Sequence, residues 1–161
     1  MTNMTHRIST LICLLCLFIG GQAQQSIDLS GLWSFQIDRE DVGEEEQWFN
    51  GKKSFDDTIL LPGSMPERLK GDAPTLKTQW TGTLYDSSFY FNPTMEIYRR
   101  TGNIKFPFFL TPDKHYVGRA WYQRTVNLPR NWKGKRIVLS LERPHIQTIL
   151  WVNGPQVGSQ N

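Results

Sequence analysis

No long stretch of this chain repeats its apolar residues every 3.6 positions, so a helical bundle is excluded and strands must carry the core. Leu32 to Asp38 alternates instead: Trp33, Phe35 and Ile37 share one face, and Ser34, Gln36 and Asp38 share the other. Ile59 to Leu61 is a short apolar run closed by the turn signal Pro62-Gly63. Ala120 to Leu128 reads as a strand ended by Pro129, since proline cannot donate to a ladder. Arg136 to Glu142 alternates again, with Ile137, Leu139 and Leu141 on one face. Ile146 to Val152 carries apolar groups on both faces, which predicts a strand in the middle of a packed layer. Asn153-Gly154 follows as a two-residue turn, because both positions accept positive φ at low cost. The class is all-β, with five strands.

Residues between Pro62 and Gly118 break this pattern. Six prolines fall there, and ten of the twenty aromatics lie between Trp80 and Tyr116. Proline at that frequency breaks ladders, while aromatics at that frequency must bury against something. The segment is expected to be a long ordered insertion wrapping one end of a sandwich.

The N-terminus sets the compartment. His6 and Arg7 precede nine apolar residues, Leu11 to Ile19, and Gly21 and Ala23 supply the small residues of a cleavage site. Nine is about half of what a membrane span requires. Residues 1–23 therefore read as a signal peptide, and residues 24–161 as a periplasmic or secreted domain with no membrane association after cleavage. Both cysteines, Cys13 and Cys16, leave with the leader, which excludes disulfides and cysteine-based zinc sites from the mature chain. The net charge of +3 is dispersed into short clusters separated by acids, so no nucleic-acid partner is expected. Neither a cofactor nor a metal is expected. The Asp38 to Glu46 loop misses the calcium-loop spacing, because Glu40 and Val42 stand at ligand positions. His115 and His145 lack metal-ligand spacing.

Four segments, in order, resemble the N-terminal domain of glycoside hydrolase family 2, the β-galactosidase and β-glucuronidase family. They are Leu29 to Asp38 running on to Asp41, Gly43 and Trp48; Leu60 to Met65; Val117 to Arg124 with Leu128-Pro129 and Trp132 to Ile137; and Trp151 to Gly154 with Val157-Gly158. The resemblance spans about residues 28–161 and implies a galactose-binding-like jelly-roll β-sandwich, incomplete here, bearing the long aromatic- and proline-rich insertion. A jelly roll has about eight strands, so five imply unpaired edges. It also implies downstream immunoglobulin-like and barrel domains as partners and a β-glycoside as the carbohydrate. The barrel's two glutamates, about 5 Å apart, do the chemistry of a retaining glycosidase in such enzymes. The family's acid/base glutamate follows an asparagine, and no Asn-Glu dipeptide occurs in this chain, so no catalytic residue is assigned. The expected role is that of a substrate-shaping front part of a β-galactosidase-like enzyme. The alternatives are a stand-alone carbohydrate-binding module and an inactive truncated gene product.

Asn153 is the leading site residue. In β-galactosidases of the family, the asparagine of the matching turn reaches the active-site mouth, and its amide can both donate to and accept from a sugar hydroxyl. The competing reading is that Asn153 serves only the turn. Trp80 and Tyr85, with Phe89, Tyr90, Phe91 and Tyr98, are candidate sugar-stacking platforms or, on the other reading, pins for the insertion.

Overall fold

The computed structural model describes residues 25–78, 87–106, 111–144 and 146–161. The leader expected over residues 1–23 lies outside them. The architecture is all-β, built from two antiparallel sheets with short 3-10 helices between their strands.

Strand β1, Gly31–Asp38, is the centre of the first sheet, flanked by β2, Asp57–Leu61, and β3, Arg119–Gln123. Trp33 pairs with Ile59 and Phe35 with Tyr122, so the apolar face predicted for β1 continues across both neighbours. Phe35 and Ile59 are each only 1% exposed, and the Phe35 and Tyr122 rings meet edge-to-face at 5.2 Å. The chain after Pro62 folds back along this sheet. Arg68 donates to the carbonyls of Leu60 and Pro62, and Lys70 binds Asp57 with its ammonium 5.8 Å from the Phe35 ring centre.

The second sheet is a hairpin of β4, Thr148–Trp151, and β5, Gln156–Gln160. The ladder shifts register between Leu150 and Trp151, leaving Val157 as the extra residue of a bulge.

Three strand expectations are corrected. Arg136 to Glu142 forms no strand, and Ile137, Val138, Leu139 and Leu141 are exposed, Val138 by 68%. Alternation makes a strand only when a neighbour completes its hydrogen bonds, and no described strand runs beside this one. β3 ends at Gln123 rather than Leu128, because the Arg124 guanidinium takes the Leu29 and Ser30 carbonyls at 2.6 and 2.8 Å. β4 starts at Thr148, after Ile146 with φ of 57°, and pairs only with β5 among the described residues, so it is not central in its sheet. β5 itself was not expected from its composition.

The described part of the insertion lacks ladders, as its prolines predict. Among the described residues from 62 to 118 there is no strand, only 3-10 helices at Ser87–Tyr90 and Pro93–Arg99 and one isolated bridge, Asp72 to His115. Its aromatics form a small core of their own: Phe89 is buried, with Tyr90 and Phe106 ring centres 5.1 and 5.0 Å away. Arg99 ties this core together by donating to the carbonyls of Phe89 and Asn92.

Candidate functional site

The site is built outward from a single aromatic brace. Trp121 on β3 stacks on Trp151 on β4 with ring centres 5.0 Å apart, and Trp151 stacks in turn on Phe49 at 5.6 Å and 7°. Trp48 packs on Trp121 at 5.9 Å and on Phe55 at the same distance. These rings join the hairpin to the three-stranded sheet, and dispersion and area burial by five aromatics hold the two sheets in register.

Beneath the brace lies Asp38, 2% exposed and the only buried polar residue among those described. Its carboxylate accepts from Val42 N–H at 2.9 Å, Gly43 N–H at 2.8 Å and the Trp121 indole N–H at 3.0 Å. Burial pushes its pKa upward and is the largest single influence. The Trp121, Gly43 and Val42 donors and the Arg119 charge together outweigh it and leave the pKa below its ordinary 3.8. Arg119 is held by Asp41 at 3.0 Å and Glu44 at 2.9 Å, which fastens the acidic loop to β3. Asp38 is fully occupied by the fold and offers nothing to a substrate.

Asn153 stands at the tip of the hairpin, two residues beyond Trp151. Its φ is 53° and that of Gly154 is 107°, so both central positions are left-handed as a primed turn demands, and Val152 N–H closes the turn on the Pro155 carbonyl at 2.9 Å. The Asn153 side chain is exposed and makes no hydrogen bond among the described residues. A donor–acceptor amide is thus presented outward on a turn whose base is clamped by stacked rings. Trp80 and Tyr85 lie outside the described residues. Of the other candidate platforms, Phe89 is buried in the insertion and cannot stack on a ligand, whereas Phe91 is 72% exposed.

One feature was not anticipated as a unit: the Asp38–Trp121–Gly43 network. It joins residues far apart in sequence, signalled only by the quoted motif positions Asp38, Gly43 and Trp121.

Residues 27–161 match the family described as "Glycosyl hydrolases family 2, sugar binding domain". The chain belongs to glycoside hydrolase family 2. The match takes in both sheets, the aromatic brace and the Asn153 turn, and makes this all-β unit the jelly-roll-like sugar-binding domain of that family. Among curated relatives, the β-glucuronidase of Paenibacillus borealis is 24% identical over 132 residues, covering 82% of this chain and 16% of its own length. That of Chlorocebus aethiops is 29% identical over 139 residues, covering 83% and 16%. The Homo sapiens β-glucuronidase is 29% identical over 133 residues, covering 79% and 15%. This chain therefore spans about one-sixth of the length of the relatives it matches.

Proposed function

We propose that this domain shapes and contacts the substrate of an exported glycoside hydrolase acting on β-glucuronides, with the hydrolytic carboxylates on a barrel domain outside these residues. The family supports the sugar-binding role, and the relatives' names support glucuronides over galactosides. Periplasmic or secreted location follows from the leader pattern of residues 1–23. The downstream immunoglobulin-like and barrel domains are its partners.

The observation that carries the reading is the outward amide of Asn153 on a braced turn. A hydroxyl-rich ligand needs a group that donates and accepts at once, and a fixed backbone keeps that contact from costing entropy on binding. Glycine tolerates the positive φ at this position, so Asn153→Gly removes the amide while keeping the turn. In the product of the whole reading frame, assayed with chromogenic β-glucuronide and β-galactoside, the glucuronide should be the better substrate. Asn153→Gly should lower kcat/KM about tenfold, the worth of a sugar hydrogen bond or two. Unchanged kcat and KM would leave the residue a turn-former only. No hydrolysis of either substrate, together with retention of the chain on immobilised glycan, would favour a stand-alone carbohydrate-binding module.

A further inference from the structure

We propose that Asn153 is a self-modifying residue: the backbone nitrogen of Gly154 displaces its side-chain amide and leaves an aspartate or isoaspartate at the tip of the hairpin. Glycine favours this attack because it has no side chain to screen its nitrogen. The chain holds two Asn-Gly pairs, Asn50-Gly51 and Asn153-Gly154. Both asparagines are exposed, so sequence and accessibility treat them as equals. Their hydrogen bonds do not.

Asn50 is the last residue of the 3-10 helix Trp48–Asn50. Its N–H donates to the Gln47 carbonyl at 3.0 Å, and its Oδ1 accepts from the Lys52 N–H at 2.9 Å. The Gly51 N–H, which would have to attack, donates to the Trp48 carbonyl at 3.4 Å. Nitrogen and side-chain carbon meet there only after this turn opens. At the hairpin tip neither reacting group is engaged. The Asn153 side chain and the Gly154 N–H make no hydrogen bond among the described residues, and no atom lies within 4 Å of where a Gly154 β-carbon would stand. Pro155 has no N–H to return to the Val152 carbonyl, so the tip is closed by one bond alone, Val152 N–H to the Pro155 carbonyl at 2.9 Å. The stacked rings fix the base of the hairpin, and a brief opening of its tip is all that the reaction needs.

The step balances with water as the sole co-reactant. The Gly154 nitrogen bonds to the Asn153 side-chain carbonyl carbon, the bond from that carbon to its amide nitrogen breaks, and ammonia leaves with the proton of the Gly154 N–H. Water then opens either carbonyl of the cyclic succinimide, giving aspartate or, with an added backbone carbon, isoaspartate. An amide that donates and accepts becomes a carboxylate that only accepts, and its negative charge repels an anionic ligand. The consequence for a glucuronide rests on the proposed function; the modification does not.

The experiment ages the folded full chain at mildly alkaline pH and follows both Asn-Gly pairs by peptide mass spectrometry, with enzymatic methylation of isoaspartate as a second readout. Asn153 should change at least about tenfold faster than Asn50, which is held by two more hydrogen bonds than the hairpin tip. In guanidinium the two rates should converge. Asn153→Gly should abolish the change at its own position and leave that at Asn50 as it was. Equal rates in the folded chain, a faster change at Asn50, or a difference that persists in guanidinium would each overturn the proposal. In the product of the whole reading frame, kcat/KM for an aryl β-glucuronide should fall in step with modification of Asn153. Modification without that fall would overturn the sugar contact assigned to Asn153 and leave the self-modification standing.

Discussion

Gly43→Ala is expected to cost the domain about 3 kcal/mol, the upper end of overpacking, at a point with no room to relax. A β-carbon at Gly43 would stand 2.3 Å from the Trp121 indole nitrogen and 2.7 Å from the Asp38 carboxylate. Neither neighbour can step aside. Trp121 is packed against Trp48 and stacked on Trp151, and Asp38 is held by its three donors. The strain would therefore push apart the joint between β3 and the hairpin. A domain of this size has about 5–15 kcal/mol in total, so a large share is lost. Urea unfolding followed by indole fluorescence should show the midpoint collapse, accompanied by reduced soluble yield. An alanine variant with the wild-type midpoint would refute the close approach.

Asp38→Ala acts on the same joint from the other side. It removes the acceptor of the part-buried Val42 N–H and of the buried Gly43 and Trp121 N–H groups, and buried donors without acceptors cost about 1–3 kcal/mol each before relaxation. A net loss of about 3–5 kcal/mol is expected, and Asp38→Asn should lose less because one carbonyl oxygen remains. The acid response separates charge from shape. The folded-state pKa lies below the ordinary 3.8, so the carboxylate's stabilisation is complete above that value and disappears as pH falls through the folded-state pKa. Stability of the wild type should drop along that descent, and the Asn variant should lack this part of the drop. Parallel acid profiles for the two proteins would show that the charge at Asp38 contributes nothing.

Much of the frame was open to inspection in the residues. The alternation from Leu32 to Asp38 marks β1 and its apolar face, and the apolar run ahead of Pro62-Gly63 marks β2. Asn153-Gly154 marks the turn because few other pairs accept two positive φ values, and the observed angles are positive at both. Prolines between Pro62 and Gly118 forbid ladders, and the described part of that segment has none beyond a single bridge. These are local properties: side-chain period, permitted φ and missing donors act within a few residues. The turn that carries Asn153 was legible for the same reason, while Trp80 and Tyr85 fall outside the described residues.

Tertiary structure alone decided the rest, because hydrogen bonding and burial need a partner that a local pattern cannot name. Arg136 to Glu142 has the period of a strand but no described neighbour, so its apolar residues face solvent. Gln156 to Gln160 has almost no apolar pattern, yet the primed turn folds it onto β4 and makes it one. Asp38 sits on the polar side of β1, where alternation places solvent, but the Val42-Gly43 backbone and the Trp121 indole close over it. Chain order determined which segments could be strands and where the chain could turn; contacts across the described residues determined which of them paired and which carboxylate was buried.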